Sequence, residues 1–141
     1  YVQTLIQGGV GKALTNFIVG ISDNPYIILL MLNIVLLILG MIIDPIPIIL
    51  AIVPILIPLF EVIGADPIHI GNIILVNLGF GVMTPPFAPN LFVAVKVGKV
   101  SFAELVKPAF FFLLTAGLPT LLLVTYIPQL SLWLPNLIMG S

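Results

Sequence analysis

Residues 79 to 90, Gly-Phe-Gly-Val-Met-Thr-Pro-Pro-Phe-Ala-Pro-Asn, place two glycines and three prolines inside a stretch from Pro67 to Val95 that carries no Asp, Glu, Lys or Arg. Each proline lacks a backbone donor and interrupts a helix. The carbonyls so released have oxygens to offer, and Thr84 and Asn90 add neutral side-chain oxygens. A cluster of uncharged oxygens around Thr84, Pro85, Pro86, Ala88 and Asn90 suits a weakly bound monovalent cation. Non-helical backbone at membrane depth survives only where it is buried in protein or lines a polar cavity. A discontinuous transmembrane helix of this kind marks transport sites; the alternative is a proline kink packed against a neighbouring helix.

Asp44 is the next group with chemistry to offer. A carboxylate at the bilayer centre costs roughly 2.5 to 3.5 kcal/mol on insertion scales, so it needs a partner or water. It reads either as a simple N-cap at an exposed turn or as the cap at the tip of a re-entrant hairpin beside a bound cation. Asn33 and Asn77 lie inside apolar runs and read as interhelical hydrogen-bond partners rather than ligands. His69, close to Asp66 near the start of its helix, reads as a satisfied interfacial group rather than a proton relay or metal ligand. No H-E-x-x-H, G-x-S-x-G or Walker sequence is present, nor a second intramembrane aspartate for a dyad. The chain has no cysteine and one histidine, which leaves almost no nucleophile and base to pair, so an enzyme is not expected.

The elements that must position these groups are membrane helices. Of 141 residues, 61% are hydrophobic and 6% charged, which a soluble core cannot accommodate. Residues 24 to 43, 45 to 60, 67 to 95 and 108 to 141 carry no Asp, Glu, Lys or Arg. The formal net charge of -1 excludes the basic footprint that nucleic acid requires. There is no basic n-region before a short apolar core, so no signal peptide is expected, and the chain, opening on Tyr1, reads as part of a longer protein.

Asn24-Pro25, Asp44-Pro45 and Asp66-Pro67 each place a capping side chain before a proline at the first helical position. These predict three helix starts. Upstream, Gly8, Gly9 and Gly11 precede an amphipathic interfacial helix with Leu14, Phe17, Ile18 and Ile21 on one face. Tyr26 to Ile43 and Ile46 to Phe60 fall short of the roughly 20 residues of a straight span. Joined without a loop, they predict a tight helical hairpin that either crosses twice or enters and turns back. Residues 68 to 83 and 87 to 95 predict the halves of a broken helix. Ser101 and Glu104 have capping-box spacing, with Val100 and Leu105 as the staple of a short surface helix. A last span is expected from Ala109 to Ile127, kinked at Pro119, with Trp133 at a membrane interface. Lys96, Lys99 and Lys107 mark the cytoplasmic side, which puts Asp23, Glu61, Asp66 and the C-terminus outside.

The runs LILGMIIDPIPIILAIVPILIP, GADPIHIGNIILVNLGFGVMTPPFAPNLFVA and YIPQLSLWLP resemble the large membrane subunit of tripartite ATP-independent periplasmic (TRAP) transporters, over its second half. The resemblance implies an all-α integral membrane fold, the second inverted repeat of an elevator transporter. Its parts would be an interfacial arm region (1–25), a helical hairpin (26–63), a broken transmembrane helix (64–95), a cytoplasmic amphipathic helix (96–108), and a last span with C-terminal tail (109–141). It implies sodium as the coupling ion between Gly40 to Pro45 and Gly81 to Asn90, with Gly40, Asp44, Gly81, Thr84, Pro85 and Asn90 as its site, and Thr84, Pro86 and Asn90 facing the substrate. No other cofactor or metal is implied. The implied function is sodium-coupled import of an organic acid anion, of sialic acid or C4-dicarboxylate type, across the bacterial inner membrane. The implied partners are the N-terminal repeat of the same subunit, a small membrane subunit and a periplasmic binding protein. A sodium-dicarboxylate symporter working without a binding protein, and a structural membrane subunit, are the alternatives. Where the family commonly has glycine after TPP-x, this chain carries Ala88-Pro89.

Overall fold

A computed structural model describes residues 10–22, 24–85 and 88–139. Gly8, Gly9, Asp23, Pro86, Phe87 and the terminal Gly140-Ser141 lie outside the described residues. Among those described the chain is all helix: α1 (Val10–Ile21), α2 (Pro25–Ile42), α3 (Pro45–Ile63), α4 (Pro67–Gly81), α5 (Pro89–Gly98), α6 (Phe102–Phe112), a π-helical turn (Leu113–Gly117), α7 (Leu118–Tyr126) and α8 (Pro128–Met139). Three helices are long and apolar enough to cross a membrane: α2, α3, and the continuous run Phe102–Tyr126. With the exposed apolar side chains of α2, α3 and α6, this is an all-α membrane protein.

The Asx-Pro dipeptides start their helices as the sequence predicts, but not all in the same way. Asn24 Oδ1 accepts the Tyr26 N–H at 3.0 Å and Asp66 Oδ1 accepts the Ile68 N–H at 2.7 Å. Asp44 occupies the same position before α3, yet its side chain makes no cap hydrogen bond. The capping box forms as expected: Ser101 N–H donates to Glu104 Oε2 at 2.8 Å, and the Glu104 N–H donates to Ser101 Oγ.

Two expectations about the helices change. The surface helix does not end near Pro108; α6 runs on through the π turn into α7. Pro108 is exposed near the start of this helix, where solvent can take over the carbonyl it leaves unpaired. The irregularity falls instead just before Pro119. The π turn re-registers the bonds there, with Leu118 N–H donating to Leu113 O. The hairpin is tight only at its joint. Its arms diverge because each has another partner: α2 packs most extensively on α4, and α3 packs on α1. Between α1, α2 and α3 they leave an apolar cavity of about 400 Å³, lined in part by Phe17, Met31, Leu36, Ile52 and Leu56. On the predicted apolar face of α1, Ile18 meets the core while Phe17 and Ile21 stay exposed.

The core is built from Ile28, Leu32 and Leu36 of α2, Leu56 and Leu59 of α3, and Ile73 and Leu78 of α4. Helices α2 and α4 run parallel, since an Asn33–Asn77 hydrogen bond and a Gly40–Gly81 contact advance along both in the same sense. Helix α7 runs antiparallel to α4, with His69 Nε2 at 2.9 Å from Val124 O and Gly117 beside the Phe80 ring. One end of the molecule therefore gathers the starts of α2 and α4 with the ends of α3 and α7, around a cleft touched by Tyr26, Gly64, Asp66, His69 and Tyr126. Helix α5 continues away from that end and pairs with α6 through stacked Phe92 and Phe102 rings 4.7 Å apart.

Candidate cation site

The hairpin tip and the helix break meet through two glycines. A Cβ built on Gly81 would lie 2.8 Å from Gly40 Cα and 2.9 Å from Gly40 C, and one on Gly40 would lie 3.2 Å from Gly81 Cα. Both residues are buried. Only glycine lets two helix backbones approach this closely. Gly40 lies in the last turn of α2 and Gly81 is the last residue of α4, so the contact joins two helix C-termini.

Those termini are electrostatically alike. The final backbone bond of α2 runs from Ile43 N–H to Leu39 O at 2.8 Å, and a helix leaves its last carbonyls without helical partners. Pro45 has no N–H to give to Met41 O. At the break, Gly81 O accepts the Thr84 N–H at 2.9 Å, a single bond on an oxygen with two lone pairs, whereas Phe80 O already accepts both the Met83 N–H at 3.1 Å and the Thr84 hydroxyl. Each C-terminus is worth about half a negative charge, and two ending side by side favour a cation beside both.

Thr84 is buried beside this junction, and its Oγ1 donates to Phe80 O at 2.7 Å. With its proton committed, the hydroxyl turns only lone pairs to any further neighbour, as a cation ligand must. Phe80 packs in turn against the end of the π turn before α7, where a Cβ on Gly117 would come within 3.1 Å of the Phe80 ring. Pro85 is half-buried. Asn90 stands in the first turn of α5 with its side chain exposed and its N–H donated to Val82 O at 3.3 Å, which ties the second half-helix back across the break. Pro86 lies outside the described residues. Asp44 is exposed at the hairpin tip, its carboxylate not engaged by the amides of α3.

Depth follows from helix lengths. Helix α4 has 15 residues and α5 has 10, or about 22 Å and 15 Å at 1.5 Å per residue. Since Gly40 touches Gly81, the hairpin tip stops near the break, and α5 carries the chain well beyond it.

Ala88, the N-cap of α5, is fully buried with φ 34° and ψ 62°. This left-handed conformation belongs to glycine by default and strains any residue with a Cβ, the more so before a proline. The position is the one where the sequence departs from the glycine common in the resembled family. Ala88→Val is expected to destabilise the protein by about 2 kcal/mol or more, since a β-branched residue at positive φ is an outlier. Ala88→Gly is expected to stay within about 1 kcal/mol, because relief of strain offsets the lost methyl burial. Thermal unfolding of the purified variants in detergent checks the pair; equal losses would contradict it.

A second polar feature crosses the core. Asn77 Nδ2 donates to Asn33 Oδ1 and, at 3.0 Å, to Ile73 O; Asn33 Nδ2 donates to Thr125 Oγ1 at 2.8 Å; Thr125 Oγ1 donates to Leu121 O at 2.7 Å. All three side chains are buried. The interhelical role read for the two asparagines fits this arrangement. The sequence does not single out Thr125, since Thr115 and Thr120 stand in the same apolar stretch and nothing in their spacing tells which one meets the two asparagines. No group of three or more His, Cys, Asp or Glu side chains fit to hold a metal ion occurs among the described residues.

Comparison with known proteins places these features in context. Residues 1–130 match the family described as "Tripartite ATP-independent periplasmic transporter, DctM component". The chain is 39% identical over 137 residues, 97% of its length, to the uncharacterized protein YgiK of Salmonella typhimurium, covering 31% of that protein. It is 37% identical over 129 residues to the sialic acid TRAP transporter large permease protein SiaM of Vibrio cholerae, covering 92% of this chain and 30% of SiaM. It is also 37% identical over 136 residues to the C4-dicarboxylate TRAP transporter large permease protein DctM of Pseudomonas aeruginosa, covering 96% of this chain and 32% of that permease. The chain thus spans about a third of the length of these curated relatives.

Proposed function

The chain belongs to the DctM family of tripartite ATP-independent periplasmic transporter permeases, and from that premise we propose that it is the second, inverted repeat of a sodium-coupled elevator that imports an organic acid anion. The observation that carries this reading is the meeting of two helix C-termini at Gly40 and Gly81, beside a threonine whose hydroxyl proton is already committed. Gly40, Gly81, Thr84 and the carbonyls around Pro85 hold the sodium ion, with Asp44 adding negative charge at the hairpin tip. The geometry favours Thr84 as a cation ligand over a donor to the substrate carboxylate. Asn90, in the first turn of the second half-helix, faces the anion, where a helix N-terminus offers positive potential; Pro86 joins it as the family resemblance implies.

The substrate class comes from the relatives, which are named for C4-dicarboxylates and sialic acid. The partners follow from the tripartite family: a periplasmic binding protein delivers the anion, and a small membrane subunit and the first repeat complete the transporter in the bacterial inner membrane. The test is uptake into proteoliposomes holding the complete subunit and its small partner. Uptake should require both a sodium gradient and the binding protein. Sodium-driven uptake without the binding protein would favour a dicarboxylate symporter, and no difference between sodium and choline would leave a structural subunit.

Topology gives a separate expectation. Lys96, Lys99 and Lys107 flank the α5–α6 turn, away from the end that gathers Tyr126 and the start of α8. These lysines are placed in the cytoplasm and Trp133, which is exposed, outside. A reporter fused after Ser141 should be extracytoplasmic. Cysteines at Ile43 and Ile46 should react with small reagents only through the transport cavity, because the hairpin turns back at the depth of the break. Labelling of both from the cytoplasm in every state would mean two full spans.

A further inference from the structure

The orientation of the buried amides is fixed by chemistry. Ile73 O can only accept, so the group of Asn77 at 3.0 Å from it must be Nδ2. Asn77 Nδ2 then donates to Asn33 Oδ1, Asn33 Nδ2 to Thr125 Oγ1, and the hydroxyl to Leu121 O. The chain of donors begins at Asn77, whose Oδ1 is buried and has no hydrogen-bond partner among the described residues. A network with an orphaned acceptor is a poor device for stability, since two apolar side chains of similar volume would remove the orphan. It is a good device for register, as buried asparagine is in coiled coils, where it fixes alignment at a cost in stability.

The register it fixes is that of the cation site. Asn77 lies one helical turn before Gly81 on α4, and Asn33 lies two turns before Gly40 on the parallel α2. Apolar packing alone tolerates sliding; a directional bond between two buried amides does not. We infer that Asn33 and Asn77, anchored to α7 by Thr125, are positioning residues that align hairpin tip with helix break and so set sodium affinity without touching the ion. This rests on the sodium reading of the Gly40–Gly81 junction.

The experiment measures uptake against sodium in proteoliposomes of the complete transporter, together with thermal unfolding. The double variant Asn33→Leu, Asn77→Leu leaves no orphaned amide, so it should unfold at or above the wild-type temperature. Its sodium half-saturation should nevertheless rise about fivefold, with maximal uptake held within about twofold. Thr125→Val, nearly isosteric, should shift half-saturation in the same direction by about twofold and serves if the double variant fails to assemble. Wild-type sodium dependence in either variant, alongside a raised half-saturation in Thr84→Val, would show that the network is structural only. Unchanged half-saturation in Thr84→Val as well would remove the sodium site and this inference with it.

Discussion

Gly81→Ala should disable the transporter far more than the same change two residues earlier. The added methyl would sit 2.8 Å from Gly40 Cα and 2.9 Å from Gly40 C, both backbone atoms with no rotamer to yield. The helices α2 and α4 must separate, at a cost of about 1 to 3 kcal/mol as for other overpacked contacts. Separation pulls the hairpin tip from the break, so sodium half-saturation for uptake should rise by about tenfold or more, as for other losses of preorganised geometry. Gly40→Ala should be milder, with its nearest neighbour at 3.2 Å. Gly79→Ala, with open space around the new methyl, should be neutral or stabilising by about 0.5 to 1 kcal/mol through helix propensity. Initial uptake against sodium and thermal unfolding of the three variants check this order; equal behaviour of the Gly79 and Gly81 variants would refute the close approach.

Thr84→Val should weaken sodium dependence while leaving the fold in place. The substitution keeps the β-branched shape of the buried side chain but removes Oγ1, and with it both the bond to Phe80 O and the neutral oxygen proposed as a cation ligand. Half-saturation by sodium is expected to rise about tenfold if the lost contact is worth about 1.4 kcal/mol. Thr84→Ser retains the oxygen and should remain near wild type. Uptake at fixed substrate and binding protein, titrated with sodium, measures both; a serine variant as impaired as valine would point to packing rather than ligation.

Much of this arrangement is legible in the residues because it rests on local rules. The Asx-Pro starts, the Ser101–Glu104 capping box and the break among Pro85, Pro86 and Pro89 each follow from missing donors or short-range hydrogen bonds, which need no tertiary information. The pairing of Gly40 with Gly81 came through family resemblance, since nothing in their spacing of 41 residues announces a contact. Other features depend on which neighbours win. Asp44 shares its dipeptide and nearly its backbone dihedrals with Asp66, yet its carboxylate makes no cap hydrogen bond, a side-chain difference that the dipeptide does not encode. The hairpin arms diverge because α4 and α1 offer them better surfaces. Pro108 is absorbed near a helix start, whereas Pro119, also exposed, lies within the span and is met by a π turn, so the difference lies in position along the helix. The left-handed Ala88 could not be read from alanine, which ordinarily avoids that conformation.

The claim that sodium sits between the hairpin tip and the helix break is tested most directly by thermal unfolding of the purified complete subunit across a sodium series, with choline holding ionic strength constant. A site that binds only the folded state stabilises it by about 1.4 kcal/mol at ten times its dissociation constant. The unfolding temperature of the wild type should therefore climb with sodium and not with choline, and the Thr84→Val curve should be displaced to about tenfold higher sodium. Coincident sodium and choline curves, or a Thr84→Val curve that overlies the wild type, would contradict the account.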